Sequence, residues 1–381
     1  MKEYPRVKSI VVVGMVDSVH LYRWLSQFDL TEYKFTLFPS TPHRKVHPGI
    51  KALIKESKLI GNEISIELFG GRLAIPFWVI DQLLNNKIRG FLLKRVLLKN
   101  NPDYLHALEF QNAGYISSVA LSDEVIKTPL IVTNYGSDIY WFSRFPRHAE
   151  KIKKLLRRVD RYAAECQRDY ILAKQLGFSG EELPIIPNAG GMVPIDKGSH
   201  LASQRKKVII KGYHGWAGRS LVALKALTLI SQDLKDYEIL VYSANFRVRI
   251  TARLIAVQHG IKIKTYRKKK LSHQDMLGLF QDSRIYVGLS VTDGISTSLL
   301  EAMATGSFPI QTASSCANEW VEDGKSAFLI DDISASKVAE KLSRALSDDP
   351  LVNKAQEINV ETILNKANFD QIKSKAQEFY R

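Results

Sequence analysis

The stretch TDGISTSLLEAMATGSFPI, from Thr292 to Ile310, decides the fold of the second half of the chain. It follows RIYVGLSV, an apolar run typical of a buried strand, and it ends in a second apolar run after a glycine. Between the two runs the apolar spacing predicts a helix from Ser298 to Thr305, because serine and threonine are favoured N-caps. Strand, helix and strand in this order predict a βαβ unit of a parallel sheet.

Glu301 stands inside this predicted helix, among apolar residues. Burying a carboxylate there without a partner costs free energy, so the residue needs an explanation. One explanation is a capping box, in which Glu301 reaches back to the helix start at Ser298. The other is a ligand, because a helix N-terminus with free N–H groups binds phosphate without a basic side chain. Asp293 and Gly294 lie in the loop before that helix.

Strand-like runs alternate with segments of helical period on both sides of this stretch. The alternation predicts an α/β fold with parallel sheets, and 381 residues are too many for one ordinary core. A segment rich in Gly, Ser and Pro, 188–207, is predicted to link two doubly wound domains, 1–195 and 205–365, which a C-terminal helix at 366–381 follows. Such domains bind ligands at the carboxyl ends of their strands.

Two elements of the first domain are predicted from weaker patterns. Residues 147–165 have a helical period throughout, which predicts one long helix. The apolar run LPIIPN, from Leu183 to Asn188, is predicted to be a strand.

The chain carries a net charge of +15, and its pI is about 9.5. Three segments interleave cations with apolar residues, namely 87–99, 151–161 and 246–270. Each segment by itself is typical of an amphipathic helix with a solvated basic face. Three of them in one chain predict contact with an anionic membrane surface. We expect no nucleic-acid partner.

Cysteine use and hydropathy indicate the compartment. Cys166 and Cys316 are the only cysteines and lie far apart in sequence, which is typical of a reducing environment. The apolar run near the N-terminus is short and is followed by Asp17, so it predicts a buried strand rather than a signal peptide. No run approaches the roughly 18 apolar residues of a membrane span. We therefore expect a cytoplasmic protein that can lie at the inner face of the cell membrane.

The stretch around Asp293 and Glu301 resembles the E-x7-E motif of retaining glycosyltransferases of family 4. The resemblance continues upstream through LSHQDMLGLFQDSRIYVGLS and downstream through CANEWVEDGKSAFLIDDISASKVAEKL. It is strong over 208–348 and weaker over the first half, where LPIIPNAGG resembles the segment that closes the N-terminal domain of the family. The resemblance implies the GT-B fold, with two facing Rossmann-like domains and a C-terminal crossover helix.

The resemblance also implies roles for the motif. Glu301 would hydrogen-bond the ribose hydroxyls of a nucleotide sugar, because an acceptor-only carboxylate suits a vicinal diol. Asp293 would contact hydroxyls of the donor sugar, although the family more often has glutamate there. The backbone from Gly294 through Ser296, Thr297 and Ser298 would face the donor phosphates or sugar.

The family stabilises the leaving diphosphate with an arginine and a lysine after the first strand of its second domain, because charge develops there. KGYHGWAGRSLVAL stands in that place in this chain. Tyr213 occupies the position of the arginine, and Arg219 stands where the lysine would be. Lys211 and the basic run 267–270 are further candidates.

In the first domain the implied site residues are fewer. Gly14, at a predicted strand-to-helix turn, would help to bind the donor, and His20, in the helix that follows, would lie on the acceptor side. A histidine of the family that contacts the donor sugar corresponds to His106 in one alignment and to Leu108 in another. TNYGSDIYWF resembles an H-G-x-D segment of the family, so Asp138 would lie on the acceptor side or hold a loop.

These observations predict a retaining, metal-independent hexosyltransferase that uses a UDP- or GDP-linked sugar and a glycan or lipid-linked acceptor, with no cofactor. No metal-ligand spacing and no phosphate-binding G-x-x-x-x-G-K motif is present in the sequence. Two alternatives stay open, a GT-B sugar-nucleotide epimerase and a non-catalytic basic protein that binds lipid or nucleic acid.

Overall fold

The computed structural model describes residues 6–68, 70–122, 125–192, 200–268 and 270–381. Residues 193–199 of the predicted linker and Lys269 of the basic run lie outside the described residues. The chain forms two compact units, of which unit 1 comprises Met1–Gly191 with Asp370–Arg381 and unit 2 comprises Met192–Phe369.

Unit 1 contains one parallel sheet. Its strands are β1 (Lys8–Gly14), β2 (Tyr33–Pro39), β3 (Ser65–Ile66), β4 (Tyr104–Leu108), β5 (Leu130–Thr133), β6 (Arg161–Ala163) and β7 (Glu181–Glu182). Their order in the sheet is β3-β2-β1-β4-β5-β6-β7, and every described pair is parallel. The direction of winding therefore changes between β1 and β4. The helices that follow these strands are α1 (Val19–Leu25), α2 (Pro48–Leu59), α3 (Ala74–Leu83), α4 (Lys87–Asn100), α5 (Tyr115–Ala120), α6 (Ser137–Tyr140), α7 (Pro146–Leu156) and α8 (Gln167–Gln175).

Unit 2 contains a second parallel sheet. Its strands are β8 (Lys207–Lys211), β9 (Glu238–Tyr242), β10 (Lys262–Thr265), β11 (Ile285–Gly288), β12 (Phe308–Thr312) and β13 (Phe328–Ile330). The order is β10-β9-β8-β11-β12-β13, so the winding changes between β8 and β11. Its helices are α9 (Ser220–Leu229), α10 (Phe246–His259), α11 (His273–Gln281), α12 (Thr297–Ala304), α13 (Ala335–Ser347) and α14 (Asp349–Lys366).

The central strands are nearly continuous apolar runs because helices cover both faces of each sheet. The last five residues of β1 are buried, as are all five of β12. The predicted α/β class with parallel sheets is thus confirmed. The predicted helix from Ser298 to Thr305 is present with its ends displaced by one residue, as α12.

Two predicted elements of unit 1 are wrong. Residues 147–165 do not form one helix, because α7 ends at Leu156 and β6 follows it. The Asp160 carboxylate accepts the N–H of Leu130 at 2.7 Å and holds this turn against the sheet. The segment from Leu183 to Asn188 is not a strand, since it contains two prolines that cannot donate to a ladder.

The last helix, α15 (Phe369–Glu378), packs with the residues that follow it in the core of unit 1. Tyr380 is fully buried, and its hydroxyl accepts the indole N–H of Trp24 at 3.0 Å. The same hydroxyl lies 2.7 Å from Nδ1 of His106. The C-terminal residues are therefore an integral part of unit 1.

Among the described residues, none of the helices combines the length and apolar character that crossing a membrane would require.

Candidate functional site

Two loops meet at the carboxyl edge of the unit 2 sheet, one after β8 and one after β11. The winding of the sheet changes between these two strands. The N–H of Arg219 donates to the carbonyl of Leu289 at 2.9 Å, and the N–H of Val291 donates to that of Ala217 at 3.0 Å. The loop after β8 is thus joined to the loop after β11. In doubly wound sheets this position is where ligands bind.

The N-terminus of α12 opens into this position. Ser296 is its N-cap, with extended backbone and no side-chain capping bond. Lys211, the last residue of β8, donates from Nζ to Oγ of Ser296 at 3.2 Å. Asp293 stands in the loop before the helix, where its Oδ1 accepts the N–H of Gly294 at 3.1 Å. A cation, a carboxylate and the free N–H groups of a helix therefore lie together.

Glu301 is buried on α12, and its carboxylate is bound by another helix rather than by its own. Oε1 of Glu301 lies 2.8 Å from Nε2 of His273, the first residue of α11. The Glu301 side chain is only 6% exposed, whereas that of His273 is 54% exposed. The capping explanation is wrong, because the N-cap position of α12 is Ser296 and Ser298 lies inside the helix. Glu301 is then too far along the helix to complete a capping box.

His273 was not singled out from the sequence. Its contact with Glu301 depends on how α11 packs beside α12, which no local pattern encodes. The one local signal is the capping box of Ser272 and Asp275, which fixes the first turn of α11 and so fixes the position of His273.

The guanidinium of Arg219 donates its hydrogen bonds to carbonyls of the loop in which Arg219 lies. Nη1 donates to the carbonyls of Gly215, Trp216 and Gly218 at 3.0, 3.2 and 3.0 Å. Tyr213, in the place of the family's arginine, presents its ring on the same loop and is exposed. Arg219 therefore holds the loop in shape, while Lys211 is the cation that touches the start of α12.

The basic run after β10 is exposed at Arg267, Lys268 and Lys270. No described hydrogen bond joins these three side chains to the segment that contains Asp293 and Glu301. Of the predicted cations, Lys211 and Arg219 lie at the change of winding in the sheet.

His106 does not lie where the sequence suggested. It is the third residue of β4 and has no exposed surface. Nε2 lies 2.7 Å from Oγ1 of Thr133, and Nδ1 lies 2.7 Å from the hydroxyl of Tyr380. Burial lowers the pKa of His106 to about 3, so the ring is neutral. His106 has no atom open to a substrate in this structure, and Leu108, the alternative, is also buried.

Two carboxylates lie at the carboxyl edge of the unit 1 sheet. Glu109 follows β4 with a left-handed φ of 93° and accepts the N–H groups of Asn112 and Ala113, the latter at 2.7 Å. Asp138 accepts the N–H groups of Phe110 and Tyr135 at 3.1 and 2.9 Å. Burial, reinforced by the charge of Glu109, raises the pKa of Asp138 to about 8. Burial thus favours the neutral form of Asp138, which fastens two loops through these hydrogen bonds.

His20 and Gly14 lie at the same edge. Gly14 ends β1, and His20 is the second residue of α1, with its ring 6.0 Å from that of Tyr135. A Cβ added at Gly14 would meet Leu108 at 3.5 Å, an ordinary contact. Gly14 is therefore not required there on steric grounds.

The structure thus sorts the predicted residues into two groups by unit. One group lies at the carboxyl edge of unit 2 and comprises Lys211, Arg219, Asp293, Gly294, Ser296, Thr297, Ser298 and Glu301. The other lies at the carboxyl edge of unit 1 and comprises Gly14, His20 and Asp138. His106 stands apart, inside the core.

Comparisons with known proteins bear on the fold and on the kind of protein that this chain resembles. Residues 220–361 match the family model described as glycosyl transferases group 1, a range that contains Asp293 and Glu301. No curated protein gives a significant match. A glycosyltransferase from Rickettsia africae is similar in structure, with a TM-score of 0.70 and 15% identity over 99% of this chain and 98% of that one.

Two further solved structures are similar over nearly the whole chain. The HepE protein of Anabaena, in complex with UDP and glucose, has a TM-score of 0.68 and 14% identity over 98% of this chain and 99% of that one. Sucrose-phosphate synthase from Thermosynechococcus elongatus has a TM-score of 0.69 and 12% identity over 98% of each chain. At these identities the likeness establishes the fold, and the predicted GT-B class is confirmed.

Proposed function

We propose that the chain is a retaining glycosyltransferase that moves a hexose from a nucleotide-diphosphate sugar to an acceptor hydroxyl of a lipid-linked or cell-surface glycan. The observation that carries the proposal is Glu301, a buried carboxylate at the carboxyl edge of the unit 2 sheet, inside the segment that matches glycosyl transferases group 1. It lies on the helix whose N-terminus opens at the change of winding.

The donor is proposed to bind along α12. Glu301 accepts hydrogen bonds from the ribose hydroxyls with the lone pairs that His273 leaves open, because a carboxylate has about four acceptor sites. The N–H groups at Ser296, Thr297 and Ser298, together with Lys211, receive the diphosphate. Asp293 receives hydroxyls of the sugar.

The reaction is proposed to need no protein nucleophile. The bond from the anomeric carbon to the diphosphate oxygen breaks, and the acceptor oxygen forms its bond to that carbon on the same face. The proton of the acceptor hydroxyl passes to the leaving phosphate. Lys211 stabilises the charge that develops on this phosphate, because a fixed cation favours the transition state over the ground state.

UDP is the first nucleotide to test, with GDP as the second. Support comes from structures of HepE, which hold UDP, UDP with glucose, or UDP-glucose. We propose that no metal ion or cofactor takes part, since the helix N-terminus and Lys211 supply the groups that face the diphosphate. The acceptor is proposed to lie at the inner face of the cell membrane, where a chain of net charge +15 is attracted to anionic lipid.

The test offers the purified chain a panel of UDP- and GDP-sugars with a membrane lipid extract and follows release of the nucleoside diphosphate. We expect release from one donor, an unchanged rate in EDTA, and a product whose anomeric configuration by NMR equals that of the donor. Glu301→Ala should lower kcat/KM for the donor by about tenfold or more, because the hydrogen bonds of a charged group to the ribose are lost. Glu361→Ala, an exposed acid on α14, is the matched control and should keep full activity.

Other outcomes would replace the proposal. Conversion of the donor sugar into its epimer without an acceptor would identify an epimerase. Absence of turnover, with binding of nucleic acid that weakens steeply as salt rises, would identify a basic binding protein. Full activity of a folded Glu301→Ala variant would reject the site assignment.

A further inference from the structure

Helix α3 of unit 1 is apolar nearly all round and yet lies on the surface. Its sequence is AIPFWVIDQL, and of these ten residues only Ala74 and Asp81 are buried. Ile80 and Leu83 are 53% and 78% exposed. A helix that is apolar on every side is normally covered, so an exposed one indicates a surface that something else covers.

The exposed apolar surface continues beyond the helix on both sides. The other large apolar residues that are exposed from the N-cap of α3 into α4 are Leu73, Ile75, Val79, Leu84, Phe91 and Leu98. Together with Ile80 and Leu83 they form what we call the α3 patch. Scattered single apolar residues are ordinary on a protein surface, whereas six large exposed ones between Leu73 and Leu84 indicate a binding surface.

The helix is held in this exposed position by a buried ion pair. Oδ2 of Asp81 accepts Nε of Arg89 at 2.5 Å, and both side chains are almost fully buried. Oδ1 of Asp81 accepts the N–H groups of Ile88 and Arg89 at 2.8 and 3.1 Å, which caps α4. Arg89 also donates to the carbonyl of Ser40, after β2. The turn from α3 into α4 is therefore fixed to the sheet, and the α3 patch is presented by the fold rather than by a frayed end.

The charges around the α3 patch have one sign. Residues 70–101 contain six cations, namely Arg72, Lys87, Arg89, Lys94, Arg95 and Lys99. The only acid in that range is Asp81, which Arg89 neutralises internally. Apolar side chains bordered by cations, with no exposed acid among them, suit a surface that is apolar inside and anionic at its rim.

A bilayer fits this chemistry better than a second copy of the chain does. A two-fold interface would set the patch against itself and bring the cations of one copy near those of the other, and residues 70–101 offer no exposed acid to pair with them. An anionic bilayer instead offers lipid tails for the apolar side chains and phosphate groups for the cations. Ten helical residues are about 15 Å long, half the hydrocarbon thickness, so α3 can lie in the interface without crossing it.

We infer that α3 and the start of α4 are the element with which this protein docks on an anionic membrane surface. Phe77 and Trp78 lie on the same helix and are half-buried, so the exposed aliphatic side chains form the surface that meets the bilayer. This inference rests on the proposed function in one respect, namely that the acceptor of the reaction lies at a membrane. Vesicle binding is measured without donor or acceptor, so the two ideas can fail separately.

The test uses the full chain with phosphatidylcholine vesicles that contain an increasing fraction of phosphatidylglycerol, and the bound fraction is measured by co-sedimentation. Ile80→Gln/Leu83→Gln should weaken partitioning at least about tenfold, because it removes two apolar side chains from the interface. Lys87→Gln/Arg95→Gln should weaken it about tenfold or more at low salt and less at high salt. Release of nucleoside diphosphate with a water-soluble acceptor should be unchanged in both variants.

The matched control lies on α10 of unit 2, within another basic segment. Leu254 and Val257 have the same three-residue spacing and nearly the same exposure, 55% and 79%. Leu254→Gln/Val257→Gln should leave vesicle binding within about twofold of the unchanged chain if α3 is the docking element. Equal loss in this control would overturn the assignment to α3. Absence of vesicle binding, with a dimer that Ile80→Gln/Leu83→Gln converts to a monomer, would show that a second copy covers the patch.

Discussion

At the scale of single residues, the carboxylate of Glu301 on α12 is contacted by a residue of another helix, α11. His273 stands at the first position of α11, where Ser272 and Asp275 fix the backbone, and it contacts Oε1 of Glu301 at 2.8 Å. We therefore assign His273 as a positioning residue, which orients Glu301 toward the ribose that we propose it binds.

This assignment predicts a change in donor affinity rather than in the chemical step. His273→Ala should raise the KM for the donor about five- to tenfold and change kcat less, because one hydrogen bond to a charged group is lost. His273→Gln can still donate and should recover part of the affinity. The measurement is steady-state kinetics with varied donor, with His259→Ala at the end of α10 as the control. A lower melting temperature with unchanged KM would mean that His273 is only structural.

The residues also show how far the sequence predicts the site. Asp293 and Glu301 can be predicted as site residues because their spacing along one loop and one helix is local information. His273 is missed because its contact depends on the packing of α11 against α12. The sequence suggests that His106 lies at the end of a strand, but it lies in the middle of β4. The ends of a strand of only five residues are hard to fix from sequence, and the pairing of β4 with β5 is needed to show that His106 is inside the sheet.

At the scale of elements, the buried pair of Asp81 and Arg89 joins α3, α4 and the loop after β2. Breaking a buried pair leaves an uncompensated charge, which costs more than the pair itself contributes. The local pattern identifies α4 as an amphipathic basic helix but does not reveal that Arg89 faces inward. Short strands are also hard to predict from a local pattern. β6, for example, has only three residues and shows no alternation of buried and exposed side chains.

Arg89→Met should lower the free energy of unfolding by about 3–5 kcal/mol, because Asp81 is left charged and buried. The double variant Asp81→Asn/Arg89→Met should lose less than the sum of its singles, since the amide keeps an oxygen for capping α4 and no charge remains. Urea-induced unfolding measures both. Lys58→Met removes the exposed partner of Glu63 and should cost less than about 1 kcal/mol. Additive losses in the double variant would mean that the two side chains do not act as a pair.

At the scale of the whole molecule, stability should respond to pH through Asp138, a buried carboxyl of unit 1. Asp138 has an ordinary pKa of 3.8, which burial and Glu109 raise to about 8. Between these two values the folded chain keeps a proton that the unfolded chain has lost. The free energy of unfolding therefore falls as pH rises through this window, and the fall is complete above pH 8.

Asp138→Asn should remove this contribution while keeping an oxygen for the N–H groups of Phe110 and Tyr135. From pH 6 to pH 9 the unchanged chain should lose about 3 kcal/mol more of its free energy of unfolding than the variant does. Denaturant unfolding at several pH values measures the difference, with Asp331→Asn, an exposed acid, as the control. A parallel pH dependence in Asp138→Asn and the unchanged chain would show that Asp138 is ionised throughout.

The position of Tyr380 has a consequence for synthesis of the chain on the ribosome. Unit 2 is one continuous segment, Met192–Phe369, whereas the core of unit 1 includes Phe379 and Tyr380 from the last three residues. Domains usually mature in the order in which they emerge. Here the segment before unit 2 must wait for the segment after it, so unit 2 can complete its core while unit 1 still lacks the tyrosine that joins Trp24 to His106.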